Sequence, residues 1–95
     1  MKSIVTKEFW KRFDQLPSPV QEQAIRAYEI WREDPFHSSL QFKRVNKSLS
    51  IYSVRIGLGY RALGVRDRED IVWFWIGSHA DYDLLLRDLA SRSGR

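Results

Sequence analysis

Arg61 and His79 are the two side chains in this 95-residue chain whose types and settings best suit chemistry on an anionic substrate. Arg61 sits in the run Tyr60 to Val65 among Tyr, Ala, Leu and Val. An arginine in such company snorkels to water, pairs with a carboxylate, or faces a functional concavity. His79 follows Gly77-Ser78 at the end of an apolar run, where a helix should begin. A neutral imidazole there can accept a proton; the plainer reading is a first-turn residue hydrogen-bonded to Asp81 or to water. Lys43, Arg44, Lys47 and Arg55 add a basic set. Lys43, Arg44 and Lys47 fall close together, which suits either a solvated loop or a rim that holds phosphates. Together these groups could bind and cleave a phosphodiester. The guanidinium fork clamps phosphate, the imidazole moves a proton near a 2′-hydroxyl, and fixed cations stabilise the charge of the transition state without a metal.

Other chemistries find little support. There is no Gly-rich phosphate loop, no HExxH, no GxSxG and no cysteine, so thiolate and disulfide chemistry are excluded. His37 and His79 are the two histidines, too few for a histidine-based metal site, and no cofactor is expected. The formal net charge is +4 and the pI about 9.7. That balance suits nucleic acid or an acidic protein, although small proteins are also basic without functional meaning. No segment approaches the roughly 20 apolar residues of a membrane span. The N-terminus lacks a signal-like apolar stretch, so a cytoplasmic protein with no membrane partner is expected.

The elements that must position Arg61 and His79 run from Ile51 to Leu86. Ile51 to Ile56 alternates as a strand, Gly57-Leu58-Gly59 turns it, and Tyr60 to Val65 returns. Asp67-Arg68-Glu69-Asp70 forms a second turn before Ile71 to Ile76, a strand apolar on both faces and therefore covered on both. Ser78 opens the last helix with Asp81 three residues on, and Tyr82, Leu85, Leu86 and Leu89 form its apolar stripe. The tail beyond Ala90 is polar and expected to fray.

Upstream, Ser3 to Val5 reads as a short strand, and Thr6 caps a helix whose apolar face is Phe9, Trp10, Phe13 and Leu16. Ser18 as N-cap, Pro19 at the first helical position and Gln21 begin a second helix with the stripe Val20, Ala24, Ala27, Tyr28 and Trp31. Pro17 separates the helices, which should pack as an antiparallel hairpin. Phe42 to Val45 is a further short strand, followed by a turn at Asn46 to Ser48. The expected fold is α+β in one domain, residues 1–95. An N-terminal strand and helical hairpin pack on a small antiparallel sheet, with a C-terminal helix.

The block YSVRIGLGYRALG…DIVWFWIGSHADYDLLL, Tyr52 to Leu86, resembles the RelE/ParE superfamily of toxins from bacterial type II toxin–antitoxin modules. The ordered set YRALG, VWFWIGSH and HADYD carries the resemblance, and the helical hairpin extends it over nearly the whole chain. The resemblance implies a RelE-like fold and, in the RelE branch, a metal-independent endoribonuclease that cleaves mRNA in the ribosomal A site and so inhibits translation. It assigns the scissile phosphate to Arg61, acid/base chemistry to His79, and RNA holding to Arg55, Lys43, Arg44 and Lys47. Asp81 and Tyr82 are supporting candidates. The chain departs from the pattern in one respect. Some relatives carry a tyrosine about two turns into the C-terminal segment, where Leu85 or Leu86 stands here, and Tyr82 comes one turn earlier. The implied partners are a cognate antitoxin, the ribosome with its mRNA, and operator DNA through the antitoxin complex. The ParE branch implies DNA gyrase inhibition instead, and a third reading is a weakly active member that mainly binds its antitoxin.

Overall fold

Which way β5 delivers its side chains determines where the rest of the chain must pack. The computed structural model describes residues 1–93. Its elements are β1 (Lys2–Val5), α1 (Lys7–Asp14), α2 (Ser18–Glu33), a 3-10 turn (Ser38–Leu40), β2 (Lys43–Asn46), β3 (Ile51–Ile56), β4 (Tyr60–Asp67), β5 (Asp70–Ser78) and α3 (His79–Ser93). The five strands form one sheet in the order β1-β5-β4-β3-β2. β1 runs parallel to β5 at the edge, and the other pairs are antiparallel. The expected α+β architecture is therefore present, with β1 adding a parallel edge to four antiparallel strands.

Local chemistry accounts for the boundaries. Thr6 caps α1, its Oγ1 accepting the Phe9 N–H at 3.1 Å. α2 starts one residue earlier than expected: Ser18 is already helical, Pro17 holds the capping position, and no side chain caps the end. Pro17 at φ −57° leads the chain into the helix, and the Gln21 side-chain amide donates to the Phe13 carbonyl at 2.9 Å. That bond ties the first turn of α2 to the last turn of α1. At the first hairpin, Gly57 takes φ +58°. The second hairpin is tighter than the four charged residues promised: β4 runs to Asp67, β5 starts at Asp70, and Arg68 takes φ +59°. α3 starts at His79, with Ser78 Oγ accepting the Asp81 N–H at 3.2 Å, so Ser78 is the cap. The helix continues to Ser93, through the first residues of the expected fraying tail, while Gly94 and Arg95 lie outside the described residues.

Each face of the sheet has its own core. On one face, Trp31 and Ala24 of α2 pack with Leu40, Phe42, Val54, Ile56, Ala62, Ile71, Trp73 and Ile76. On the other, Tyr82, Leu85, Leu86 and Leu89 of α3 cover Ile51, Leu63 and Trp75. Trp31, 1% exposed, has Trp73 and Phe42 edge-on at 5.4 and 5.9 Å. Burying an aromatic of that size is worth about 1.5–3 kcal/mol. The helices of the hairpin each lie on the sheet, α1 against β5 and α2 against β3. Between them is an apolar cavity of about 320 Å³ walled by Phe9, Phe13, Tyr28 and Trp31.

A bulge sets the phase of β5. Leu63 pairs with Trp75 and the next residue, Gly64, with Trp73, so Phe74 has no partner on β4. The extra residue sends Trp73 to the α1–α2 face and Trp75 to the α3 face. Gly64 stands where the ladder shifts, and a Cβ there would lie 2.8 Å from Ile71 Cγ1 and 2.9 Å from Trp73 Cε3. Gly64→Ala should therefore overpack this joint and lower stability by about 1–3 kcal/mol, read as a drop in the urea midpoint. An unchanged midpoint would show that Ile71 and Trp73 yield freely.

Candidate functional site

The α3 face of the sheet carries the polar residues. By register, Ser53 stands between Lys43 and Leu63, while the next row on that face holds Arg55, Arg61 and Gly77. Arg55 and Arg61 are directly opposed on β3 and β4. Like charges so placed destabilise a strand pair, and nothing in the packing requires them.

The Arg61 side chain spans the width of β3. Its Nη2 donates at 2.9 Å to Oε1 of Gln41, which lies just before β2, beyond β3. Gln41 itself is left-handed, φ 48° and ψ 43°, a conformation costing a non-glycine residue on the order of 1–3 kcal/mol. The Arg61 guanidinium lies over the Tyr82 ring, 5.6 Å from its centroid. Tyr82, 6% exposed, donates its hydroxyl to Ser53 Oγ at 3.2 Å, and Ser53 is fully buried. Gln41 and Tyr82 thus hold the guanidinium, and Ser53 anchors the tyrosine. Its remaining amino group, Nη1, is buried and has no acceptor among the described residues. A buried cationic donor left unpaired is costly, and an anion in the site would remove that cost.

His79 meets the same tyrosine. Its ring lies 5.6 Å from the Tyr82 ring, so Arg61 and His79 share one face of the sheet with Tyr82 in contact with both. The His79 backbone N–H donates to the Gly59 carbonyl at 2.8 Å, joining the start of α3 to the β3–β4 hairpin. Its Nδ1 is 3.2 Å from the Asp83 carboxylate, one helical turn on. The partner is therefore Asp83, not Asp81, whose N–H is spent on the Ser78 cap. With the Nδ1 proton directed at Asp83, Nε2 of the neutral ring is the nitrogen left with a lone pair.

The other basic residues divide. Arg55 turns back toward the hairpin, its Nε donating to the Gly57 carbonyl at 2.9 Å. Lys43 is exposed on the Arg61 face. Arg44 stands opposite Tyr52 on the other face and donates to the Lys47 carbonyl, and Lys47 is exposed in the following turn. The site as built is Arg61, His79, Tyr82 and Gln41, with Arg55 and Lys43 beside them.

Three contributors escaped the sequence reading. Gln41 carried no signal, because it sits in an irregular stretch and takes its importance from a long-range bond. Ser53 looked like the polar half of an alternating strand. Asp83 was legible, four residues after His79 on a helix. Arg12 of α1 also reaches this side, 4.9 Å from the Trp75 ring. Among the described residues, no three His, Asp or Glu side chains gather so as to hold a metal ion, and no helix is long and apolar enough to cross a membrane.

Comparison with known proteins bears on this arrangement. The model of the ParE-like toxin domain matches residues 18–83. No curated protein sequence matches the chain. Among solved structures, the RelB–RelE antitoxin–toxin complex of Methanococcus jannaschii matches with a TM-score of 0.68 at 17% identity, over 85% of this chain and 96% of that one. The toxin–antitoxin complex RelBE2 of Mycobacterium tuberculosis gives 0.65 at 20% identity, over 82% and 96%. The isolated RelE toxin of E. coli gives 0.62 at 16% identity, over 90% and 96%. At such identities the structures share a fold with this chain, whereas the domain match spans more than half its length. The chain belongs to the ParE-like toxin domain family, within the RelE/ParE superfamily.

Proposed function

We propose that this chain is a metal-independent endoribonuclease that cleaves mRNA on the ribosome, held in check by a cognate antitoxin. The observation that carries the reading is Arg61: a guanidinium fixed by Gln41 and Tyr82 whose buried Nη1 has no acceptor. The scissile phosphate supplies that acceptor once the side chains over Nη1 part to admit it. His79 Nε2 takes the proton of the 2′-hydroxyl as its oxygen bonds to phosphorus. The phosphorus–5′-oxygen bond breaks, and the departing oxygen is protonated by water. Charge building on the phosphate oxygens falls to Arg61, with Arg55 adding field from the neighbouring strand. Asp83 directs the ring of His79. The antitoxin follows from family membership and from the RelB–RelE and RelBE2 complexes that share the fold. A partly disordered acidic segment suits a chain of net charge +4.

Arg61→Ala and His79→Ala should each reduce cleavage of ribosome-bound mRNA by about 100-fold or more and abolish growth arrest. Arg61→Lys should not restore activity, because an ammonium lacks the planar fork. Growth arrest that survives both alanine variants and is accompanied by a DNA-damage response would replace this reading with gyrase inhibition.

Gln41 acts through Arg61 as a positioning residue. Gln41→Ala should lower the single-turnover cleavage rate about tenfold with affinity for the mRNA-loaded ribosome unchanged, and Tm should fall only by the loss of one exposed hydrogen bond. A fall in affinity with an unchanged rate would instead assign Gln41 to substrate binding.

A further inference from the structure

The β3–β4 hairpin and α2 enclose a second cleft of about 350 Å³, bounded by Gln23, Arg26, Ile30, Ser39, Arg55 and Leu58. Its size lies toward the lower end of the about 300–1,000 Å³ of ligand pockets. Gly57 seats the hairpin directly on α2, since a Cβ there would come within 2.5 Å of Gln23 Oε1. Two guanidinium groups, Arg26 and Arg55, therefore border one fixed cleft. Among the described residues, neither is paired with a carboxylate. Both bring positive charge to its rim, and an anion between them would be attracted to both.

Arg55 connects this cleft to the site on the α3 face. It is the direct cross-strand neighbour of Arg61, yet it also borders the cleft beside α2. The route between the two is open because β2 pairs with β3 only as far as Ser53. Beyond Ser53, β3 is an edge flanked by the short 3-10 turn, whose Ser39 lines the cleft with its hydroxyl bonded to His37 Nδ1 at 2.8 Å. Leu58, 88% exposed, and Ile30 give the rim apolar surface. Guanidinium groups beside apolar side chains suit a phosphate joined to a ribose better than they suit a free inorganic ion.

We propose that this cleft is a phosphodiester subsite for the single-stranded RNA whose scissile phosphate lies at Arg61. The strand passes from Arg61 over the open edge of β3, and Arg26 and Arg55 hold the phosphate of a neighbouring nucleotide. Leu58 and Ile30 lie against its ribose. This subsite rests on the nuclease reading, and its test separates the two.

Binding is measured by fluorescence anisotropy with a dinucleotide and an octanucleotide RNA, each carrying a 2′-deoxy substitution at the cleavable position. An oligoglutamate peptide is the third probe. Wild type, Arg26→Gln and Arg61→Ala are compared over a range of salt. Arg26 is exposed, so its variant keeps the fold. Arg26→Gln should weaken the octanucleotide about three- to tenfold and reduce the salt slope by about one, leaving the dinucleotide unchanged. Arg61→Ala should weaken both RNAs. If Arg61→Ala weakens RNA binding and Arg26→Gln does not, the subsite falls and the nuclease reading stands. If the wild type binds neither RNA, the subsite falls, while the nuclease reading is decided by cleavage of ribosome-bound mRNA. An equal loss for both lengths, or a loss for oligoglutamate and not RNA, assigns Arg26 to general charge or to an acidic protein and overturns the subsite.

Discussion

The unpaired residue Phe74 is the constraint on which this molecule depends. In a regular strand Trp73 and Trp75 would point the same way, and both indoles would compete for one face of the sheet. The bulge puts one in each core. Everything after it inherits the new phase. Gly77 comes to lie opposite Arg61, and the absence of a side chain there leaves room for the Trp75 ring, which a Cβ would meet at 2.7 Å. Ser78 then reaches the end of the sheet in position to cap α3, and His79 follows on the face that carries Arg61. One extra residue in the ladder thus couples the packing of two tryptophans to the placement of a histidine.

Tyr82 joins the core to the polar site. Its ring is buried with Leu63 and Trp75, its hydroxyl satisfies the buried Ser53, and its face receives the Arg61 guanidinium. A phenol serves all three roles because it has an apolar body, a π face and a polar tip. Arg61 gains order from this without being neutralised: among the described residues, the protein supplies an amide oxygen and an aromatic ring, and no carboxylate. A carboxylate would stabilise the free protein further and would compete with any anion that the site binds. The left-handed backbone at Gln41 is tolerated in the same setting, where the bond to Arg61 offsets part of its strain.

The fold was largely legible in the sequence because its signals are local and redundant. Thr6 before Phe9, the α2 stripe from Val20 to Trp31, Gly57 at the hairpin and Ser78 before the last helix each act over a few residues, and each acts as expected. The bulge was invisible for a physical reason. IVWFWI is apolar throughout, so no polar residue marks which face a side chain takes. Arg61 and His79 stood out because charge and imidazole are conspicuous among apolar neighbours. Gln41 did not, since an amide in a loop looks the same whether or not an arginine finds it. The fate of Lys43, Arg44 and Lys47 turned on strand register, which a short strand with its own irregularity at Val45 does not reveal in advance.

The two faces of the sheet divide stability from chemistry. The α1–α2 face is the more aromatic: Trp31, Phe42, Tyr52 and Trp73 form a connected set of rings, and two indole N–H groups, on Trp31 and Trp73, are buried without an acceptor. Each such orphan costs about 1–3 kcal/mol, and only substantial apolar burial around it can offset that. The α3 face has a smaller core and accepts opposed arginines, a buried hydroxyl pair and an unsatisfied guanidinium. A domain of 95 residues has a small margin for such costs, and the larger aromatic core is what offsets them on both faces. Concentrating aromatic packing on one side is what allows the other to hold positive charge in place with no counter-charge beside it.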